Sequence, residues 1–291
     1  MDKSRKGGRG LEDLSYLFLS SSQPDKSSND PTSSRGSSAH TSEAPLVFGI
    51  FSSLPMKSFC SCNLLLEIAK GNRRVSVIDF PSLQPSIRHL MGNLVDLQDE
   101  FPISNNYHLD FKIESVKLYG FSKITIVSLD ITKEETALEK IVEKILAEER
   151  IRESHVILIN SPEKVRNTSL FGTLFTRLPK AVILMNSQIY SLIETYLLMK
   201  KLSPFCYQYF IGNIIHEEED ASSDHQHIER LKRAAQKYLS PNIEIPAVVD
   251  IHIDQEALTS VRLRRPLALM ESASASGKAI MNLCHHLLPK E

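Results

Sequence analysis

The chain has 291 residues, 42% of them hydrophobic, and a formal net charge of −1. This length and hydrophobic content are enough for one large α/β domain with a substantial core, plus a tail. The near-neutral charge disfavours a general nucleic-acid-binding protein, and no apolar run approaches the roughly 20 residues of a membrane span. Four cysteines without a disulfide-type spacing, and a start that does not resemble a signal peptide, predict a cytoplasmic location.

Residues 1–20 combine a basic, glycine-rich arm with a short apolar segment. The apolar residues recur at helical spacing, and they are Leu11, Leu14, Leu17 and Phe18. Residues 21–45 are rich in serine and almost free of bulky apolar side chains, which predicts a disordered linker. A short amphipathic helix on such a tether is typical of a docking element for a partner protein. The alternatives are a frayed terminus, a helix packed on its own domain, and a peripheral membrane contact.

From residue 46 to residue 291, short apolar runs alternate with helical patterns. The predicted strands are 46–51, 75–78, 124–129, 156–159, 181–185, 207–211 and 247–251. The predicted helices are 63–70, 134–150, 168–177, 188–202, 225–239 and 274–288. Runs that are apolar throughout predict strands covered on both faces, so we expect an α/β domain with a mostly parallel, twisted sheet flanked by helices. Residues 111–119 alternate apolar and polar side chains instead, which predicts an edge or antiparallel strand.

The first strand, the loop after it and the first helix have the order of a phosphate-binding P-loop. The loop, residues 52–58, reads SSLPMKS and ends in Lys57 and Ser58. These two residues could hold a phosphate and a Mg²⁺-bound oxygen; alternatively, Lys57 is a solvated lysine and Ser58 a plain N-cap. The loop lacks the glycines that a phosphate cradle needs, and Pro55 has no N–H to donate. The sequence therefore predicts a distorted or closed phosphate site.

The order of these segments resembles the MinD/ParA family of deviant Walker A P-loop ATPases, of the SIMIBI class. The family's first loop reads KGGxGK[ST] and is followed by Asn-Leu; here residues 52–58 stand in that place, and Asn63-Leu64 follow at the family spacing. Five later segments resemble family segments in the same order: residues 75–79 with the PSLQPSIRHLMG stretch after them, VILINSP at 156–162, 181–202, FIGNI at 210–214, and 249–267.

The resemblance implies which residues would form a nucleotide site, and these are Lys57, Ser58, Asp79, Asn160 and Asn213. Asn160 stands where the family has the Walker B aspartate, and Asn213 either recognises the base or is a turn residue after a strand. Ser52 replaces the family's cross-dimer lysine, and Pro81 replaces the aspartate that orients the attacking water. These replacements predict no catalytic residues, no metal site and no required cofactor, with ATP or ADP and Mg²⁺ bound weakly if at all.

Together these features predict a degenerate MinD/ParA-like pseudo-ATPase, an adaptor or regulator in spatial organisation at the cell pole, flagellum, secretion machinery or division site. The short helix before the domain is similar to that of the flagellar regulator FlhG, in which such a segment engages a partner GTPase. We expect a protein partner on the N-terminal helix, leave open a homodimer or a heterodimer with a related ATPase, and expect no specific nucleic acid. The alternatives are an active or slow ATPase that binds ATP and Mg²⁺, and a structural protein with a collapsed site.

Overall fold

The computed structural model describes residues 45–52, 54–80, 85–92, 101–102, 111–116, 123–129, 138–161, 180–216, 225–270 and 274–289. The predicted docking segment, with Leu11, Leu14, Leu17 and Phe18, lies outside these ranges. So do all but the last residue of the predicted linker, the predicted helix 168–177, and Pro81. Those predictions therefore stay predictions.

Across these ranges the strands form one sheet. They are β1 (Leu46–Phe51), β2 (Val75–Asp79), β3 (Phe101–Pro102), β4 (Phe111–Val116), β5 (Ile124–Leu129), β6 (Val156–Asn160), β7 (Lys180–Met185), β8 (Gln208–His216) and β9 (Glu244–Ile253). Their order is β3-β4-β5-β2-β6-β1-β7-β8-β9. All neighbouring strands from β5 to β9 pair in parallel, which confirms the predicted sheet. As predicted, β4 is antiparallel; it pairs with β5 on one side and β3 on the other.

The helices of the described ranges connect these strands. They are α1 (Lys57–Lys70), α2 (Ile87–Met91), α3 (Leu138–Ala147), α4 (Glu149–Arg152), α5 (Ile189–Leu202), α6 (Gln226–Tyr238), α7 (Gln255–Leu263) and α8 (Ala275–Leu287). The last predicted helix and those at 188–202 and 225–239 are confirmed to within one residue at each end. The first predicted helix starts earlier than expected, at Lys57, and α2 and α7 were not predicted. Within these ranges, no helix is long and apolar enough to cross a membrane.

Helix α1 is the centre of the packing around the first loop. Leu64, Leu65 and Leu66 are all buried, although three consecutive helical residues point in different directions. A helix that is buried on nearly all sides must be enclosed by other elements. It contacts β1, β2 and β6 of the sheet, as well as α2 and α8. The position of Lys57, at the start of α1, is therefore fixed by packing along the whole helix.

Strand register places polar side chains at one edge of the sheet. Asp79 is paired with Asn160, which is paired with Ile50 at the end of β1. On the other half of the sheet, Asn213 is paired with both Met185 and Asp250. Ligands of open α/β sheets bind outside the carboxyl ends of the strands. Both groups of polar residues lie toward that edge.

Candidate functional site

Lys57 is enclosed in the protein. It is 0% exposed, and its Nζ donates a hydrogen bond to the backbone carbonyl of Ser161, directly after β6. Its charge also acts on the nearby carboxylate of Asp79. The alternative of a solvated lysine is therefore wrong. A buried ammonium group needs such partners, because its removal from water is costly.

Ser58 is the second residue of α1 and is also buried. The N-cap position belongs to Met56, whose side chain makes no capping hydrogen bond. The alternative of Ser58 as a plain N-cap is therefore wrong as well. A role for Ser58 in holding a phosphate or a metal-bound oxygen stays a prediction.

Polar groups of the loop before α1 form hydrogen bonds with other groups of the protein. The backbone N–H of Leu54 donates to Oγ of Ser52 at 2.8 Å. Oγ of Ser52 in turn donates to the backbone carbonyl of Leu184 on β7, at 2.9 Å. Pro55 has no N–H. Because a phosphate cradle consists of successive N–H groups that point toward the anion, positions 54 and 55 contribute no free donor to one.

A buried polar cluster links α1 to the ends of β2 and β6. Nδ2 of Asn160 donates to Oδ1 of Asp79 at 2.7 Å, and Oγ of Ser61 donates to Oδ1 of Asn160 at 2.9 Å. The backbone N–H of Ile87, at the start of α2, donates to Oδ2 of Asp79 at 2.9 Å. Both carboxylate oxygens of Asp79 therefore accept hydrogen bonds from the protein itself.

The pKa of Asp79 is the result of opposing influences. Burial raises this pKa above the ordinary value of 3.8. The hydrogen bonds from Asn160 and Ile87, and the charge of Lys57, act in the opposite direction. The pKa of Asp79 is raised overall, because burial outweighs these three contributions, each of which favours the ionised form.

This cluster does not fit a metal-bound triphosphate. Mg²⁺ prefers one or two carboxylate ligands, phosphate oxygens and water in a near-octahedral arrangement. Here an amide occupies the Asn160 position, and both oxygens of Asp79 already accept hydrogen bonds. Among the described residues, no group of three or more His, Cys, Asp or Glu side chains could hold a metal ion. The nearby cysteines of α1, Cys60 and Cys62, are free and buried.

Asn213 belongs to a second polar group, at the other half of the sheet. Its Nδ2 donates to Oδ1 of Asp250 at 2.8 Å, and Oδ2 of Asp250 lies 3.1 Å from Nε2 of His225. The predicted strand 207–211 extends to His216, so Asn213 lies inside β8 and is not a turn residue after it. Recognition of a base by Asn213 stays a prediction.

The structure brings some of the predicted residues together and separates one. Lys57, Asp79 and Asn160 gather around the start of α1, while Asn213 lies on β8, beyond β1 and β7 in the sheet. Sequence reasoning missed three members of these two groups, Ser61, Asp250 and His225. Asp250 had a signal in the sequence, because it interrupts the otherwise apolar run of residues 247–251.

Comparison with known proteins gives structural matches only. No protein-family model matches the chain, and no curated protein matches it significantly. The MinC:MinD cell division protein complex of Aquifex aeolicus matches with a TM-score of 0.54 and 18% identity, over 84% of this chain and 98% of that one. A ParA family ATPase of Chlorobium tepidum matches with a TM-score of 0.56 and 15% identity, over 85% and 100%. The ATP complex of a McdA variant from Cyanothece matches with a TM-score of 0.55 and 12% identity, over 85% and 98%.

These neighbours share the parallel sheet and its flanking helices along nearly their whole length. At such low identity the likeness concerns the fold and not the individual site residues. The resemblance inferred from the order of the sequence segments agrees with it. The chain has the fold of the MinD/ParA P-loop ATPases.

Proposed function

We propose that this chain is a pseudo-ATPase of the MinD/ParA fold, an adaptor or regulator in spatial organisation at the cell pole, flagellum, secretion machinery or division site. The observation that carries the proposal is that the two charged site residues are hydrogen-bonded to groups of the protein itself. Lys57 donates to the Ser161 carbonyl, and both oxygens of Asp79 accept hydrogen bonds from the protein. Groups that are already hydrogen-bonded within the protein are poorly placed to bind a nucleotide phosphate.

The residues around this pair also oppose catalysis. Phosphoryl transfer is accelerated mainly by positioning and by positive charge placed against the transferring phosphoryl group. Ser52 stands where the resemblance implies a lysine that reaches across a dimer, and its hydroxyl is engaged by the Leu184 carbonyl. Asn160 cannot supply the negative charge of an aspartate to a metal. These features oppose turnover as the activity of the chain.

An active or slow ATPase is the second candidate. The presence of Lys57 and Ser58 at the start of α1 favours it, because these residue types occupy the same positions in the P-loop pattern. For this candidate to hold, Lys57 would have to leave the Ser161 carbonyl when a nucleotide arrives.

We expect the purified chain to show no ATP hydrolysis above background and weak or no ATP binding. The reason is the engagement of Lys57 and Asp79 together with the loss of N–H donors in the loop. Phosphate release and calorimetric titration with ATP and ADP, with and without Mg²⁺, measure both quantities. A Lys57→Ala variant serves as the control, since any residual signal that it leaves unchanged does not come from this site.

Mg²⁺-dependent turnover that disappears in the Lys57→Ala variant would refute the pseudo-ATPase proposal. It would favour the active ATPase instead. Equal, background rates of phosphate release by the unmodified chain and the Lys57→Ala variant would support the proposal.

Partner binding is the second part of the proposal. One structural neighbour is a complex of MinD with MinC, so this fold is compatible with binding a different protein. We propose that the N-terminal segment, through Leu11, Leu14, Leu17 and Phe18, docks on a partner protein. A dimer, with a second copy or with a related ATPase, belongs to the same proposal.

Deletion of residues 1–20 is expected to abolish partner capture while leaving the melting temperature nearly unchanged. A flexible linker of some 25 residues has a root-mean-square reach of roughly 25–30 Å, which lets the segment act independently of the domain. Pull-down with the deleted chain, and with the double variant Leu14→Asp and Phe18→Asp, tests the capture. Thermal denaturation of the same proteins tests the independence. A fall of many degrees would show that the segment is part of the core.

A further inference from the structure

Helix α5 exposes large apolar side chains to solvent. We name four of them the α5 stripe, and they are Ile189, Tyr190, Ile193 and Leu197. Each is about half exposed or more, up to 78% for Tyr190. Ile189, Ile193 and Leu197 follow one another at intervals of four residues, which places them on one side of the helix. The α5 stripe is therefore one continuous apolar surface.

The side of α5 that faces the protein is, in contrast, partly polar. Ser191 and Thr195 are buried there, together with Met199 and Leu202. Ser191 has a local role, since its Oγ accepts a hydrogen bond from the backbone N–H of Asn186 at 3.0 Å. A surface helix ordinarily buries its apolar side and exposes its polar side. Because α5 departs from this pattern, a further surface is needed to cover the stripe.

The neighbouring helix, α6, follows the ordinary pattern. It contacts α5, buries Ile228 and Leu231, and exposes Arg230 and Arg233. Its one large exposed apolar side chain is Tyr238, at its last residue. The exposed apolar surface of this helix pair is thus concentrated on α5.

The charged residues beside the stripe favour a second copy of the chain as its partner. Glu194 and Lys201 are both exposed. They are seven residues apart, so they lie on the same side of α5, with Leu197 between them along the helix. When two copies of α5 run antiparallel and meet near Leu197, Glu194 of each copy comes opposite Lys201 of the other. The surface is therefore self-complementary, as a two-fold symmetric interface requires.

The apolar and the charged residues of this surface have different roles. Burial of the stripe would supply most of the free energy of association. Ion pairs at the rim of an interface contribute little affinity and mainly fix the orientation of the partners. A specific interface buries at least about 1,000 Å² in total, so polar residues around the stripe would complete it.

We propose that two copies of this chain associate through the α5 stripe, with the two α5 helices antiparallel and without a nucleotide. Leu197 lies near the centre of this interface, and Glu194 pairs with Lys201 on both sides of it. The centre is eight residues beyond the start of α5, which is about 12 Å along the helix from the carboxyl edge of the sheet. The inference rests on the dimer of the proposed function, to which it assigns a surface away from the edge where ligands of such sheets bind.

Sedimentation equilibrium of the full chain, with and without ATP and Mg²⁺, tests the proposal. The average mass is expected to rise from that of one chain toward that of two as the concentration rises, and ATP is expected to leave this curve unchanged. Leu197→Asp is expected to weaken association at least about tenfold, because it places a charge in the apolar centre. Leu258→Asp on α7 is the matched control, since Leu258 is 48% exposed and Leu197 50%. A dimer that forms equally well in the Leu197→Asp variant would overturn the inference.

Exchange of the two charges tests the antiparallel arrangement. Glu194→Lys and Lys201→Glu each place like charges opposite one another twice in the dimer, so each is expected to weaken association about tenfold. The double variant restores opposite charges and is expected to recover the original association. Equal melting temperatures of the monomeric forms would show that folding is unaffected. Failure of the double variant to recover association would refute the proposed arrangement.

The same measurements distinguish failure of this inference from failure of the proposed function. A chain that stays monomeric at every concentration contradicts the inference, and the stripe then belongs to a different protein or to a membrane surface. The pseudo-ATPase proposal would stand in that case. A dimer that forms only with ATP and Mg²⁺ would contradict both the inference and the proposed closure of the nucleotide site.

Discussion

Replacement of Lys57 by methionine is expected to lower the free energy of unfolding by about 1–3 kcal/mol, the usual cost of leaving a buried acceptor, here the Ser161 carbonyl, without its hydrogen bond. Methionine fills a similar volume but offers no charge and no donor to the Ser161 carbonyl. The Asp79 carboxylate would then lose a cation that stabilises its ionised form. Urea denaturation followed by circular dichroism measures the change.

Lys70→Met is the matched control for this experiment. It is the same substitution on the same helix, but the Lys70 side chain is 41% exposed and its ion pair with Glu67, at 2.6 Å, lies near the surface. Exposed pairs of this kind contribute about 0–1 kcal/mol, so little change is expected. The double variant of Lys57→Met with Asp79→Asn is expected to recover about 1–3 kcal/mol relative to the sum of the single changes. In a chain whose Lys57 serves nucleotide binding, Lys57→Met would leave stability intact and abolish ATP binding instead.

The Asn160→Asp variant restores the carboxylate that the family resemblance implies, and we expect it to destabilise the protein by about 3 kcal/mol or more at neutral pH. Nδ2 of Asn160 now donates to Oδ1 of Asp79 at 2.7 Å. In the variant two carboxylates would face each other at that distance inside the protein. Such pairs share a proton, because both groups cannot ionise together.

The sign of the pH dependence follows from that shared proton. The folded variant would hold it at a pKa well above the ordinary 3.8 of an aspartate, while the unfolded chain releases it near that value. The folded state then binds more protons, so stability falls as pH rises through the folded pKa and is regained on acidification. Denaturation at several pH values measures this dependence, with Asn242→Asp in an exposed turn as the control. Strong stabilisation of the Asn160→Asp variant by Mg²⁺ would instead reveal a metal site and contradict the proposed closure.

Much of the fold could be predicted because its central strands are continuous apolar runs. Leu46–Phe51 and Ile124–Leu129 were predicted to the residue. The predicted boundaries were wrong where a helix or strand continues through polar residues. The pattern for the first helix began at residue 63, because the KSFCSC stretch before it is poor in strong helix formers. Burial of that stretch between the sheet and its neighbouring helices outweighs its low propensity.

The candidate site was less predictable, because its contacts join distant parts of the chain. The pattern around Lys57 placed it at a helix start, but nothing in the sequence indicated that its partner would be Ser161. Likewise, the sequence indicated Asn213 as a site residue but not its partner. Asn213 meets Asp250 because β8 pairs with β9, and Asp250 in turn contacts His225. The predicted strand 207–211 also ended too early, because pairing with β9 extends β8 to His216. Residue types were thus predictable, and their partners were not.

The sheet order also has a consequence for how the chain reaches its folded state during synthesis. Among the strands that the structure describes, β1 is the first to leave the ribosome, yet its two neighbours in the sheet, β6 and β7, are encoded far downstream. Until they emerge, the apolar run Leu46–Phe51 has no strand to pair with on either side. Non-local pairing of this kind slows folding and prolongs the exposure of aggregation-prone apolar segments. The growing chain is therefore an expected client of chaperones until β7 has been made.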